Sequence, residues 1–198
     1  MDFKLTVNGH FLEYFDSEHL YLVDGVIVPS ITQIIKSDNP SRLDGIPAKT
    51  LAAAAAAGTQ VHNAIEQYCV NGTESDLPEV ANFKFLRRHF NFQVEGNEIP
   101  VILKKDGKPV AAGRLDLVLS RDGKIGGADI KRVSTVDRSY CGLQLNLYRI
   151  AYQQCYGKLW EFLAVLQLKE QTRKFVDIPI DENRAWDVVE QFLGNKND

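Results

Sequence analysis

The chain has 198 residues, 44% hydrophobic and 25% charged, with a net charge of −3 at neutral pH. That length and balance describe one globular domain with room for a real core. They argue against a membrane span, which needs about 20 apolar residues in a row, and against a protein that coats nucleic acid non-specifically. The opening residues, MDFKLTVNGHF, lack the apolar core of a signal peptide, so a cytoplasmic location is expected. Three widely spaced cysteines, Cys69, Cys141 and Cys155, fit free thiols better than disulfides or a metal cluster.

Residues 11–28 read as a β-hairpin, with HLYLV and VIVP flanking the two-residue turn Asp24-Gly25. Ser30 is a plausible N-cap for a short helix, ITQIIK, and the turn-rich run 38–45 is a loop. Pro47 suits the first turn of a long helix that runs to about Val70. Its six consecutive alanines favour helix and permit close packing. Gly58 costs about 1 kcal/mol against alanine there, which predicts tight backbone approach nearby. His62 and Glu66 share a face of that helix, which Asn71-Gly72 ends.

A second, amphipathic helix is expected over 77–92, with Pro78 in its first turn and Lys84, Arg87 and Arg88 on its surface. A strand over 94–103 follows, with Ile99, Val101 and Leu103 on one face and Glu98 on the other. The turn around Asp106-Gly107 admits two registers. A three-residue loop sets Glu98 opposite Asp116, and a two-residue loop shifts it by one.

The central stretch is 110–148. Asp122-Gly123 is a strong hairpin signal, and a two-residue loop there pairs Arg121 with Lys124. Extended along the strands, that register sets Asp116 opposite Asp129 and Arg114 opposite Lys131. Cross-strand partners lie about 5 Å apart at Cβ, so two carboxylates in those places repel unless a cation joins them. Oxygen-seeking Mg²⁺ or another divalent ion answers that need. Leu115, Leu117 and Leu119 are expected on one face, with Asp116 on the other; Asp129 and Lys131 share a face and Ile130 takes the core side. Two carboxylates and an ammonium suit metal-assisted phosphodiester hydrolysis. From Lys104 to Arg149 ten basic residues stand against five acidic ones, so this window is +5 and the rest of the chain −8. A phosphate-backbone substrate calls for such a concentration.

A helix over 136–157, capped by Asp137, presents Gln144 and Tyr148 on one face. Strands over 158–168 and 173–180 follow. Asp181 caps a last helix, ENRAWDVVEQFLG, and a frayed tail is expected from Asn195 to Asp198.

Together these motifs resemble the PD-(D/E)XK nuclease superfamily, and within it the RecB-like and phage-recombination exonucleases. Gly58-Thr59-Gln60-Val61-His62 is similar to their GxxxH-type helix motif. Glu98 is similar to the acid on the first core strand, Gly113-Arg114-Leu115-Asp116 to the G-x-x-D motif, Asp129-Ile130-Lys131 to D-x-K, and Gln144 with Tyr148 to QxxxY. Leu115 stands where the name-giving proline would, and the iron–sulfur cysteines of some RecB-like nucleases are absent.

The resemblance implies an α/β fold: an αβββαβ core with a central mixed sheet flanked by helices. The N-terminal hairpin and short helix (1–46) would precede this catalytic core (47–180), and a C-terminal helix and tail (181–198) would follow. It also implies roles. His62, Asp116, Asp129 and the Ile130 carbonyl would bind Mg²⁺ or Mn²⁺, and Lys131 would orient water and stabilise charge, with Glu98 joining the catalytic set if the register allows. Gln144 and Tyr148 would shape the site and meet DNA, with Arg114 and Arg132 beside them. The substrate would be DNA, as double-stranded ends or single strands. A single-strand annealing protein or a helicase would be the natural partner, and some relatives are homo-oligomeric rings. An exonuclease is the leading expectation. A nicking or structure-specific endonuclease, a non-catalytic binding module and a hydrolase of other phosphate esters are the alternatives.

Overall fold

A computed structural model describes residues 2–195. It is a mixed α/β structure with two sheets and, among the described residues, five helices. Residues 196–198 of the expected frayed tail lie outside the described residues.

The N-terminal region is a four-stranded antiparallel meander rather than a lone hairpin: β1 (Phe3–Val7), β2 (His10–Phe15), β3 (Leu20–Val23) and β4 (Val26–Val28). The expected Asp24-Gly25 turn joins the last two. The two further strands include Phe3–Val7, whose alternation of Phe3, Leu5 and Val7 with Lys4 and Thr6 is the pattern of a half-buried strand. Ser30 caps α1 (Ile31–Asp38) with a full capping box, its side chain accepting from the Gln33 N–H while Gln33 answers the Ser30 N–H.

Pro47 immediately precedes α2 (Ala48–Asn71), which ends at Gly72 in the left-handed conformation. Only its C-terminal half is anchored, through buried Val61 and Ile65. Two expectations about its N-terminal half fail. Ala52 to Ala56 are exposed, not close-packed, and a Cβ on Gly58 would meet nothing within 4 Å. This half of the helix borders an open cleft, so small residues there make space instead of closing it. α3 is Pro78–His89.

The larger sheet has the order β5 (Gln93–Lys105), β6 (Lys108–Arg121), β7 (Lys124–Lys131), β8 (Phe162–Lys169), β9 (Thr172–Ile178). β7 and β8 are parallel, and α4 (Arg138–Tyr156) connects them; the other neighbours are antiparallel. α5 is Glu182–Gly194. The core lies on both sheet faces. Val101, Leu103, Leu115 and Val165 pack with α1, α4 and α5, whereas Leu117, Leu119, Ile130 and Leu166 pack with α2 and α3.

This division corrects the expectation that Leu115, Leu117 and Leu119 share a face. The pleat inverts between Leu115 and Leu117, at the level where Glu98 adopts a left-handed backbone with φ of 50°. One residue in that region reverses the alternation on β5, and β6 follows its partner.

Two glycines of β7 are dictated by a neighbour. Trp160 is fully buried, and a Cβ on Gly127 would lie 1.9 Å from its ring, while one on Gly126 would lie 2.5 Å from the Phe162 carbonyl. Among the described residues, no helix is long and apolar enough to cross a membrane, and all three cysteines are free.

Candidate metal and phosphate site

The register left open at Glu98 is resolved by two irregularities. Lys105 pairs with Lys108, so the β5–β6 loop has two residues. Val110 is then an extra residue, since Lys104 pairs with Pro109 and Leu103 with Ala111. The bulge restores the register of the longer loop. Asn97 faces Leu117, Ile99 faces Leu115, and Glu98 lies between them, level with Asp116.

The β6–β7 ladder runs as expected from Arg121–Lys124 to Leu117–Ala128 and then stops. Asp116 therefore does not face Asp129 as a ladder partner, nor Arg114 face Lys131; Arg114 is opposite Pro100. Beyond Ala128 the strands fork. β7 continues alongside β8, and the Asp116 side chain occupies the fork by accepting the Ile130 N–H at 2.7 Å.

Around this fork the side chains form two linked groups. On the α2 side, Val61 and Ile65 seat the helix so that His62 faces the sheet. Its Nδ1 lies 3.6 Å from Asp116 and 3.8 Å from Glu98, and its Nε2 donates to the Ile130 carbonyl at 3.0 Å. On the α4 side, Lys131 donates to Asp129 Oδ1 at 2.9 Å and to Gln144 Oε1 at 3.1 Å. Ile130 thus bridges the groups, its N–H bound to Asp116 and its carbonyl to His62.

The electrostatics follow from this crowding. Burial opposes charge on His62, but the nearby carboxylates of Asp116, Glu98 and Asp129 outweigh it and raise its pKa to about 9. Burial pushes the Asp129 carboxyl up, against the pull of Lys131. Burial also opposes the Lys131 charge, yet Asp129 and Asp116 hold its pKa above the ordinary lysine value, so it stays an ammonium. Tyr148 is buried and its hydroxyl is held protonated, first by burial. Its ring packs where a Cβ on Gly113 would lie, 2.9 Å from the nearest ring carbon, which explains the glycine of the GRLD motif.

A divalent cation fits this donor set. Ligand atoms of His62, Glu98 and Asp116 all lie within 4.8 Å of one another, and two carboxylates with an imidazole are donors a divalent metal ion accepts. Close by, Asp129 Oδ2 is buried without a directed hydrogen bond, although the Lys131 ammonium is 2.7 Å away.

The two arginines expected to meet DNA line the cleft and are also ion-paired within the protein. Arg114 pairs with Glu98 and rests against the Tyr14 ring. Arg132 pairs with buried Glu79 at 2.7 Å and with Glu170 at 3.2 Å. Gln144 and Tyr148 line the cleft, of about 810 Å³, into which the site opens. The sequence reading missed its opposite wall, where Tyr14, Tyr21, Gln33 and Lys36 come from the N-terminal meander and α1. No spacing signal links those residues to the site, because the two sheets meet only in three dimensions.

No family model matches the chain, and no curated protein matches it. A solved crystal structure of SSO0001 aligns over 84% of this chain and 75% of its own length, at 16% identity and a TM-score of 0.47.

Proposed function

We propose that the protein is a divalent-metal-dependent deoxyribonuclease of the PD-(D/E)XK class. The observation that carries this reading is the convergence of His62, Glu98 and Asp116 beside the Asp129–Lys131 pair at the strand fork. The order of elements α3, β5, β6, β7, α4, β8 agrees with the αβββαβ core that the class implies.

In this reading His62, Glu98, Asp116 and Asp129 hold Mg²⁺ or Mn²⁺. The bound ion supplies Lewis-acid polarisation of the phosphate and lowers the pKa of an attacking water. Lys131, fixed by Asp129 and Gln144, donates to that water or to a phosphate oxygen. Being an ammonium, it orients and neutralises; it does not act as a base. Tyr148 offers a neutral hydroxyl to the phosphate. Arg114 holds Glu98 in place and lines the same cleft. Hydrolysis adds water across one P–O bond and needs no redox partner.

The test sets end-labelled linear duplex beside a closed circular plasmid, with Mg²⁺ or Mn²⁺, against EDTA. Metal-dependent loss of the linear DNA with the circle intact is expected, and it defines an exonuclease. Nicking or linearisation of the circle defines an endonuclease. Lys131→Ala should lower the rate about 10²- to 10³-fold, the usual cost of one charge-stabilising donor, with Mn²⁺ binding retained. Unchanged cleavage in that variant would sink the role given to Lys131.

A further inference from the structure

A second concave surface lies beside the cleft. It is a groove of about 560 Å³ between the C-terminal half of α3 and the edge strand β9. Arg138, Arg173 and Lys174 line it, with Asp177 the one carboxylate among its lining residues. Its wall is aromatic: the Arg173 guanidinium lies 3.8 Å from the centre of the Phe85 ring, and His89 stacks on Phe85 at 5.6 Å and 13°. Phe85 and His89 are both exposed.

The groove and the cleft flank one sheet, with buried Gln167 between Lys131 and Lys174. Lys131 pairs with Gln167 across β7–β8, and Gln167 with Lys174 across β8–β9, so the two lysines stand in one row. Two strand spacings separate their backbones, about 10 Å. Only the segment 132–137 lies between the two surfaces in sequence. Arg132 and Val133 line the cleft, and Arg138 lines the groove.

We propose that this groove holds a single-stranded segment of the polynucleotide whose phosphodiester lies in the cleft, an inference that rests on the nuclease reading. The charge balance matches a phosphate chain, and exposed rings and guanidinium faces are the surfaces on which unpaired bases stack. Duplex DNA keeps its bases stacked on one another and has no use for the aromatic wall.

The test measures anisotropy of a fluorescein-labelled thymidine oligonucleotide of about twelve nucleotides, within the usual range for single-strand sites, in EDTA. The double variant Arg173→Gln, Lys174→Gln should bind at least tenfold more weakly. Its plot of log K against log salt should be shallower by about 1.4, at about 0.7 per lost phosphate contact on a single strand. The control Arg88→Gln, Lys158→Gln removes the same charge from exposed positions outside the groove and should bind like the wild type. Phe85→Ala should weaken binding without changing the salt slope. Equal losses in both double variants, unaltered binding in the groove variant, or no binding by the wild type would each overturn the proposal. So would a loss confined to blunt duplex. Turnover of bis(p-nitrophenyl) phosphate by the wild type with Mn²⁺ reports on the cleft alone. Absence of both this turnover and metal-dependent DNA cleavage would defeat the nuclease reading, while the groove stands or falls on the binding variants.

Discussion

In the metal-free protein at neutral pH the imidazole of His62 carries a proton, because its Nδ1 faces two carboxylates and its Nε2 a carbonyl. Its pKa of about 9 lies above the unfolded value of 6.5. The stabilisation from that charge is therefore fully present below pH 6.5 and is lost as pH rises through about 9. A metal ion must displace this proton to use the nitrogen. In EDTA, the melting temperature should fall between pH 6.5 and 9, and His62→Gln should flatten the change. Over the same window Mn²⁺ affinity should rise. Calorimetry in two buffers of different ionisation enthalpy should detect proton release on binding; no release would remove His62 from the ligand set.

The motif residues around His62 were legible because their chemistry is confined to short spacings. Asp129 and Lys131 stand two apart on one strand, and Gln144 and Tyr148 four apart on one helix. The fork was not legible. A hairpin turn fixes register near itself, but nothing in the sequence says where two strands stop pairing. That point depends on β7 meeting β8, 36 residues on.

At the scale of elements, the seat of Trp160 decides how closely β7 can approach the segment before β8. The sequence shows Gly126-Gly127 only as an interruption of a strand; the bulky ring that requires it is more than thirty residues away. Gly127→Ala should act as overpacking, costing about 1–3 kcal/mol or more. Chemical denaturation should show a lower midpoint with an unchanged slope. A wild-type midpoint would mean that the Trp160 ring can move aside. The exposed alanine half of α2 shows the opposite limit. Propensity foretold a helix there correctly, but packing against the helix was inferred from small residues alone, and small residues also border open space.

For the whole molecule, the proposed cation would join four elements: α2 through His62, β5 through Glu98, β6 through Asp116 and β7 through Asp129. Ligand binding to the folded state alone stabilises by about 2.7 kcal/mol at one hundred times Kd. For about 200 residues, that corresponds to a rise in melting temperature of about 5–10 °C. Mn²⁺ should produce this shift in the wild type and Asp116→Asn should abolish it. A shift that survives the substitution would place the ion elsewhere. The α/β class and nearly every helix could be read from periodicity and caps, such as Ser30 and Asp181. The meeting of the N-terminal meander with the cleft could not, since no local pattern encodes how two sheets lean on each other.

The left-handed backbone at Glu98 sets two demands on one position. A left-handed backbone costs most residues about 1 kcal/mol or more, and asparagine or glycine far less. Selection for a sturdier fold would therefore replace this glutamate, whereas selection for a cation at the fork would keep it. On the proposed reading, position 98 is where backbone ease and cation binding make opposite demands on a single residue.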